Sequence, residues 1–95
     1  MDYCNEHGQL HRTDGPAVIH EDEYQAWYLN GKRHRTDGPA IDWGDGHQEW
    51  YLNGQRHRVD GPARIYSDGS QEWWVNGKQL TQFEHWVLTG AKEHV

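Results

Sequence analysis

The chain is poor in the residues that usually build a compact core or a covalent framework: one Cys, one Phe and one Met in 95 residues, with Leu, Ile and Val scarce. A lone Cys4 rules out an internal disulfide framework and fits a reducing compartment. No apolar run approaches the ~18 residues that a membrane span requires, and no charged-then-apolar leader opens the chain. The expectation is a soluble cytoplasmic protein with no membrane contact. Positive charge is also short, with nine Lys and Arg against fifteen Asp and Glu and a net charge of −6. That balance argues against a direct grip on nucleic-acid phosphates and leaves a basic partner or plain solubility. Eight histidines would offset much of the charge near pH ~6.

What remains is aromatic. Six Trp and five Tyr supply the apolar area, each ring burying ~150–250 Å² while keeping a polar tip. A chain this short buries only roughly 60–65% of its unfolded surface, so the core is expected to be thin.

The sequence repeats every 23 residues. His11-Arg12-Thr13-Asp14-Gly15-Pro16-Ala17 returns unchanged from His34 to Ala40 and, with Val59 for Thr, from His57 to Ala63. A second word, Trp27-Tyr28-Leu29-Asn30-Gly31, returns as Trp50 to Gly54 and, varied, as Trp73 to Gly77. A fixed period of this length implies stacked supersecondary units. One repeat domain over 1–95 is expected: a degenerate half-unit at 1–10, hairpin repeats at 11–33, 34–56 and 57–79, and a C-terminal helix and tail at 80–95.

Each unit reads as a β-hairpin. In the second, Ala40 to Trp43 is a short strand, Gly44-Asp45-Gly46 a turn, His47 to Leu52 the return strand, and Asn53-Gly54 the next turn. The fold class is therefore mainly β: a single-layer antiparallel sheet of successive hairpins with a short capping helix. Glu23 stands where Gly46 and Gly69 stand, which predicts a different and weaker first turn. Alternation puts Trp27, Leu29, Trp50, Leu52, Trp73 and Val75 on one face and Tyr28, Tyr51 and Trp74 on the other. His20, Trp43 and Tyr66 also fall together. Asp42 interrupts an apolar set, so it meets solvent or pairs locally. At the C-terminus Thr81 and Glu84 form a capping box, Phe83, Trp86 and Val87 an apolar stripe, and Gly90 a stop. This helix is expected to fold over the sheet end with Phe83 and Trp86 inserted.

The words Asn30-Gly31-Lys32-Arg33-His34, then Gly38, a glycine turn, an aromatic strand and Asn-Gly again, are similar to the MORN repeat, also of about 23 residues. The family's glycine soon after the aromatic is missing, and His-Arg-x-Asp-Gly-Pro-Ala replaces its simpler His-Gly-x-Gly. The variant resembles repeats of bacteriophage and large-virus proteins, down to the ending Val75-Asn76-Gly77-Lys78 with Leu80-Thr81 and a helix bearing Glu84 and Trp86. The resemblance implies a platform that binds protein, dimerises or contacts lipid, and the acidic balance weakens the lipid reading.

Three sets of residues invite chemistry. His11, His34 and His57 are separated by about 9.5 Å if each unit contributes two strands, too far to share a zinc ion whose ligands lie about 2.0–2.3 Å away. Arg12, Arg35 and Arg58 are candidates for anion binding, against the simpler reading that Asp14, Asp37 and Asp60 serve their own turns or pair with those arginines. Tyr28, Trp43, Tyr51, Tyr66 and Trp74 form a ringed surface of the kind enriched in binding hot spots, either open to a partner or closed in a homodimer. No catalytic set, metal site or cofactor loop stands out. The preferred expectation is a non-enzymatic protein-binding module, as an anti-defence, anti-CRISPR-like inhibitor encoded by a phage and aimed at a basic nucleic-acid-binding host protein in the host cytoplasm. The alternatives are a nucleotide or signalling-molecule sponge and a homo-oligomeric scaffold.

Overall fold

The structure is a computed structural model and describes residues 1–90. Eleven short strands run in chain order: β1 (Val18–Ile19), β2 (Gln25–Ala26), β3 (Tyr28–Leu29), β4 (Lys32–Arg33), β5 (Ile41–Asp42), β6 (Gln48–Glu49), β7 (Tyr51–Leu52), β8 (Gln55–Arg56), β9 (Arg64–Ile65), β10 (Gln71–Val75) and β11 (Lys78–Leu80). The helix α1 (Gln82–Thr89) follows. Seven strands form one antiparallel sheet in the order β1-β2-β5-β6-β9-β10-β11, flanked by the small pairs β3-β4 and β7-β8.

These small pairs continue the large sheet. Trp27 N–H donates to Ala40 O at 2.6 Å, while His34 N–H donates to Trp27 O at 3.0 Å. The line β2-Trp27-β3 thus pairs on one side with both β4 and β5, and residues 35–39 bulge out between them. Trp50 repeats the arrangement with Ala63 and His57. The His-Arg-x-Asp-Gly-Pro word is therefore a loop standing off a meander. The molecule is elongated, 44 × 26 × 18 Å.

The turns follow the residues present. Asn30, Asn53 and Asn76 have φ of +50°, +50° and +52°, each followed by a left-handed Gly. That is the two-residue turn whose twist matches the strands. At the opposite edge, His20 and Tyr66 accept from Glu23 N–H and Gly69 N–H and donate to Tyr24 and Ser70, a type I turn closed by a left-handed residue. The expectation that Glu23 forces another geometry is corrected here. Its φ is +74°, in the same region as Gly46 at +98° and Gly69 at +90°. The strand register and the Asp22 carboxylate, which accepts Tyr24 N–H at 3.2 Å, hold a residue that dislikes the conformation. Asp42 pairs locally, accepting from Gly44 N–H and the Gln48 amide.

The core is thin, made of Val18, Ala26, Ala40, Ile41 and Tyr51 with Leu10, Tyr24, Trp27 and Tyr28 against it. Ala17, Ala40 and Ala63 are wholly buried where each loop rejoins the sheet. In the front half-unit Tyr3 plays the part of Trp27: it donates to Ala17 O and accepts from His11 N–H.

At the far end the capping box forms in both directions, Glu84 N–H to Thr81 Oγ1 at 3.1 Å and Thr81 N–H to Glu84 Oε1 at 2.8 Å. Gly90, left-handed at φ +74°, closes the helix. The expected insertion of Phe83 is overturned, because Phe83 is 66% exposed with Val87 and Leu88 beside it in exposure. His85 goes in instead. It is 2% exposed, and its Nε2 lies 2.6 Å from Arg58 O. The Arg58 carbonyl, in the loop beneath the helix, needs a donor, and the His85 ring supplies it. Residues 91–95 of the expected tail lie outside the described residues. No helix among those described is long and apolar enough to cross a membrane.

Candidate functional site

The two faces of the sheet carry different devices. On the loop face, the three copies of His-Arg-x-Asp-Gly-Pro are identical in detail. Each His accepts a backbone N–H through Nδ1: His11 from Asn30 at 2.9 Å, His34 from Asn53 at 3.0 Å, His57 from Asn76 at 2.9 Å. The start of each unit is thereby tied to its own Asn-Gly turn nineteen residues on. Each ring must carry its proton on Nε2.

Each Arg closes its own loop. Arg35 Nε donates to Asp37 at 2.8 Å, Nη1 to Pro39 O at 3.2 Å, and the guanidinium lies 4.0 Å from the centre of the Trp27 ring. Arg12 does the same with Asp14, Pro16 and Tyr3, and Arg58 with Asp60, Pro62 and Trp50. The Asp37 carboxyl is held below its ordinary value, chiefly by the hydrogen bond from Arg35 and then by its charge. The glycine of the word makes room: a Cβ on Gly15, Gly38 or Gly61 would fall 2.8–2.9 Å from the guanidinium carbon. The three candidate anion-binding arginines are thus committed within their own loops.

The other face gathers the ringed residues. Register places Val18, Ala26, Ile41, Glu49, Arg64 and Glu72 in one row across the sheet. The row starts apolar and ends as alternating charge. Glu49 is buried and receives the Tyr51 hydroxyl at 2.6 Å and His47 Nε2 at 3.1 Å, with Arg64 Nε at 3.3 Å and Arg56 Nε at 3.6 Å as ion-pair neighbours. Neither arginine Nε makes a directed hydrogen bond. Burial pushes the Glu49 carboxyl up, but the Tyr51 bond, the Arg64 charge, His47 and Arg56 together leave it below its ordinary value. Glu72 takes the Tyr66 hydroxyl at 2.7 Å and the Trp74 indole at 3.0 Å.

Beside this row runs a ladder of five rings, His20, Tyr24, Trp43, His47 and Tyr66, with successive centroids 5.1, 5.5, 4.3 and 5.2 Å apart. Its border is the turn edge, where Glu21, Asp22, Glu23, Asp45 and Asp68 are all exposed. Thus Tyr28, Trp43, Tyr51, Tyr66 and Trp74 share a face, but not equally. Trp43 is 37% exposed and Tyr51 only 5%. Arg33 and Arg56 lie over the Tyr51 ring, so that residue supports the surface and does not form part of an open one.

His20, Tyr24, His47, Glu49, Arg64 and Glu72 belong to this face as a set, although no catalytic or metal-binding motif joins them in the sequence. The signal lay in the repeat columns: Val18, Ile41 and Arg64 occupy one column, and Ala26, Glu49 and Glu72 its cross-strand neighbour. Both columns turn from apolar to charged along the array. Comparison with known proteins finds no family model, no curated protein and no solved structure that matches this chain. The fold defines a mainly β protein of hairpin-repeat-like architecture with one short C-terminal helix.

Proposed function

We propose that this chain is a non-enzymatic, MORN-like protein-binding module that lays its ringed face and acidic turn edge on a basic protein surface. The five-ring ladder bordered by exposed Glu21, Asp22, Asp45 and Asp68 carries the reading. Rings packed tilted and edge to face give rigid contact area at low entropic cost, and the carboxylates give complementarity and a fast encounter with a cationic partner. A phage-encoded inhibitor occupying the nucleic-acid groove of a host protein fits this surface, since carboxylates would stand where phosphates normally bind. The sponge alternative loses support because Arg12, Arg35 and Arg58 already serve Asp and Pro acceptors in their own loops.

The test is capture from a bacterial lysate with the wild-type chain and with a Trp43→Ala, Asp45→Lys, Asp68→Lys variant. The reading expects a stoichiometric basic partner, released by salt and lost in the variant. Recovery of no such partner at low salt removes it.

A further inference from the structure

The loop face holds a second feature that the ringed face does not explain. Between the loops at 35–39 and 58–62 lies a groove of about 500 Å³ whose lining includes Trp50, Leu52, His57, Thr36 and Val59. One unit earlier a smaller groove of about 210 Å³ repeats it with Trp27, Leu29, His34 and Thr13. Indole and leucine supply an apolar floor. His34 and His57 each supply an Nε2–H donor, because their Nδ1 atoms are occupied as acceptors. Each rim presents an exposed carboxylate paired on its inner side with its own arginine: Arg35 and Arg58 turn inward onto the rings and each donates to one oxygen of Asp37 or Asp60, whose side chains are 76% and 80% exposed.

The spacing narrows the occupant. Consecutive grooves are one hairpin apart, about 9.5 Å at the usual interstrand distance. Three residues of polyproline II rise about 9.3 Å. An α-helix offers no such match in one turn, at about 5.4 Å. Aromatic-floored grooves flanked by hydrogen-bond donors are also the general means of holding a proline-rich segment, whose exposed carbonyls accept the donors.

We propose that the two grooves take a proline-rich segment in the polyproline II conformation, three residues per groove, with Lys or Arg at every third position directed to Asp37 and Asp60. Each pyrrolidine packs on Trp27 or Trp50, and the His34 and His57 Nε2–H groups hold backbone carbonyls of the segment. This site is independent of the ringed face and of the partner proposed for it.

The experiment titrates the chain with a twelve-residue Pro-Pro-Lys repeat peptide, followed by tryptophan fluorescence and by two-dimensional NMR of the indole N–H groups. An Ala-Ala-Lys peptide of equal length and charge is the comparison. The proposal expects saturable binding, movement of the Trp27 and Trp50 indole signals with Trp43 unmoved, and affinity about tenfold or more above that of the alanine peptide. Thr36→Arg, an exposed change in the wall shared by both grooves, and Val59→Arg in the wall of the larger one should each weaken binding by about tenfold or more. Equal binding of the two peptides, unaltered binding in both variants, or absence of binding overturns it. Capture of a basic partner through Trp43 and Asp45 is unaffected by any of these results.

Discussion

Gly38→Ala isolates the mechanism that builds each loop. The new Cβ falls 2.9 Å from Arg35 Cζ and 3.2 Å from Nε and Nη1, so the guanidinium must leave its place. It then gives up the bond to Pro39 O, a charge-assisted contact worth about 1.5 kcal/mol net. It also gives up the stack on Trp27, worth about 0.5–1 kcal/mol. Alanine returns about 0.4–1 kcal/mol by stiffening the unfolded chain, which leaves a loss of about 1–2 kcal/mol. For a domain of this size that is a fall in Tm of about 5–10 °C. Thermal and urea unfolding should be read in a double-mutant cycle with Arg35→Ala. In that background the guanidinium is gone, and Gly38→Ala should be neutral or mildly stabilising. An equal cost in both backgrounds refutes the argument, because the glycine would then be needed for something other than room.

Three further outcomes follow from the same geometry. Glu23→Gly relieves a left-handed non-glycine residue and should raise stability by about 1 kcal/mol in urea unfolding, whereas a loss would mean that the Glu23 side chain does more for the turn than its backbone costs. Nitrogen NMR of the imidazoles should find His11, His34 and His57 unprotonated at Nδ1 and protonated at Nε2, and His57→Ala should cost about 1 kcal/mol by orphaning Asn76 N–H; the opposite tautomer contradicts the bond from each histidine to its turn. Glu49 and Glu72 have folded-state values below the ordinary 4.5, so the unfolded chain takes up protons first as the pH falls. Stability from both is full above pH ~4.5 and drains as the pH drops through the depressed values, and a pH series of urea midpoints should show a flatter acid limb in Glu49→Gln. An unchanged acid limb in that variant would deny Glu49 its role.

The local architecture was legible because local rules govern it. Asn-Gly specifies its turn through positive φ, alternation assigns Trp50 and Tyr51 to opposite faces, and Thr81 with Glu84 announces a capping box, all from residues a few positions apart. The period alone gave a sheet of hairpins with a helix at one end. What sequence order could not supply was the partner of each side chain distant along the chain. His57 acts on a turn nineteen residues away, Arg35 on a ring in the preceding unit, and Glu49 on Arg64 in the next hairpin. The helical stripe pointed to Phe83 and Trp86; Trp86 is half-buried and Phe83 exposed, and the residue the lid buries outright is His85, because the acceptor it meets, Arg58 O, belongs to a loop that reaches the helix only once the sheet has formed. Glu23 likewise keeps the turn its neighbours dictate against its own preference, since register along the whole strand outweighs the strain at one residue. Spacing within the chain determined the units and their faces; the stacking of units decided which polar groups are satisfied, which rings are covered, and where grooves remain.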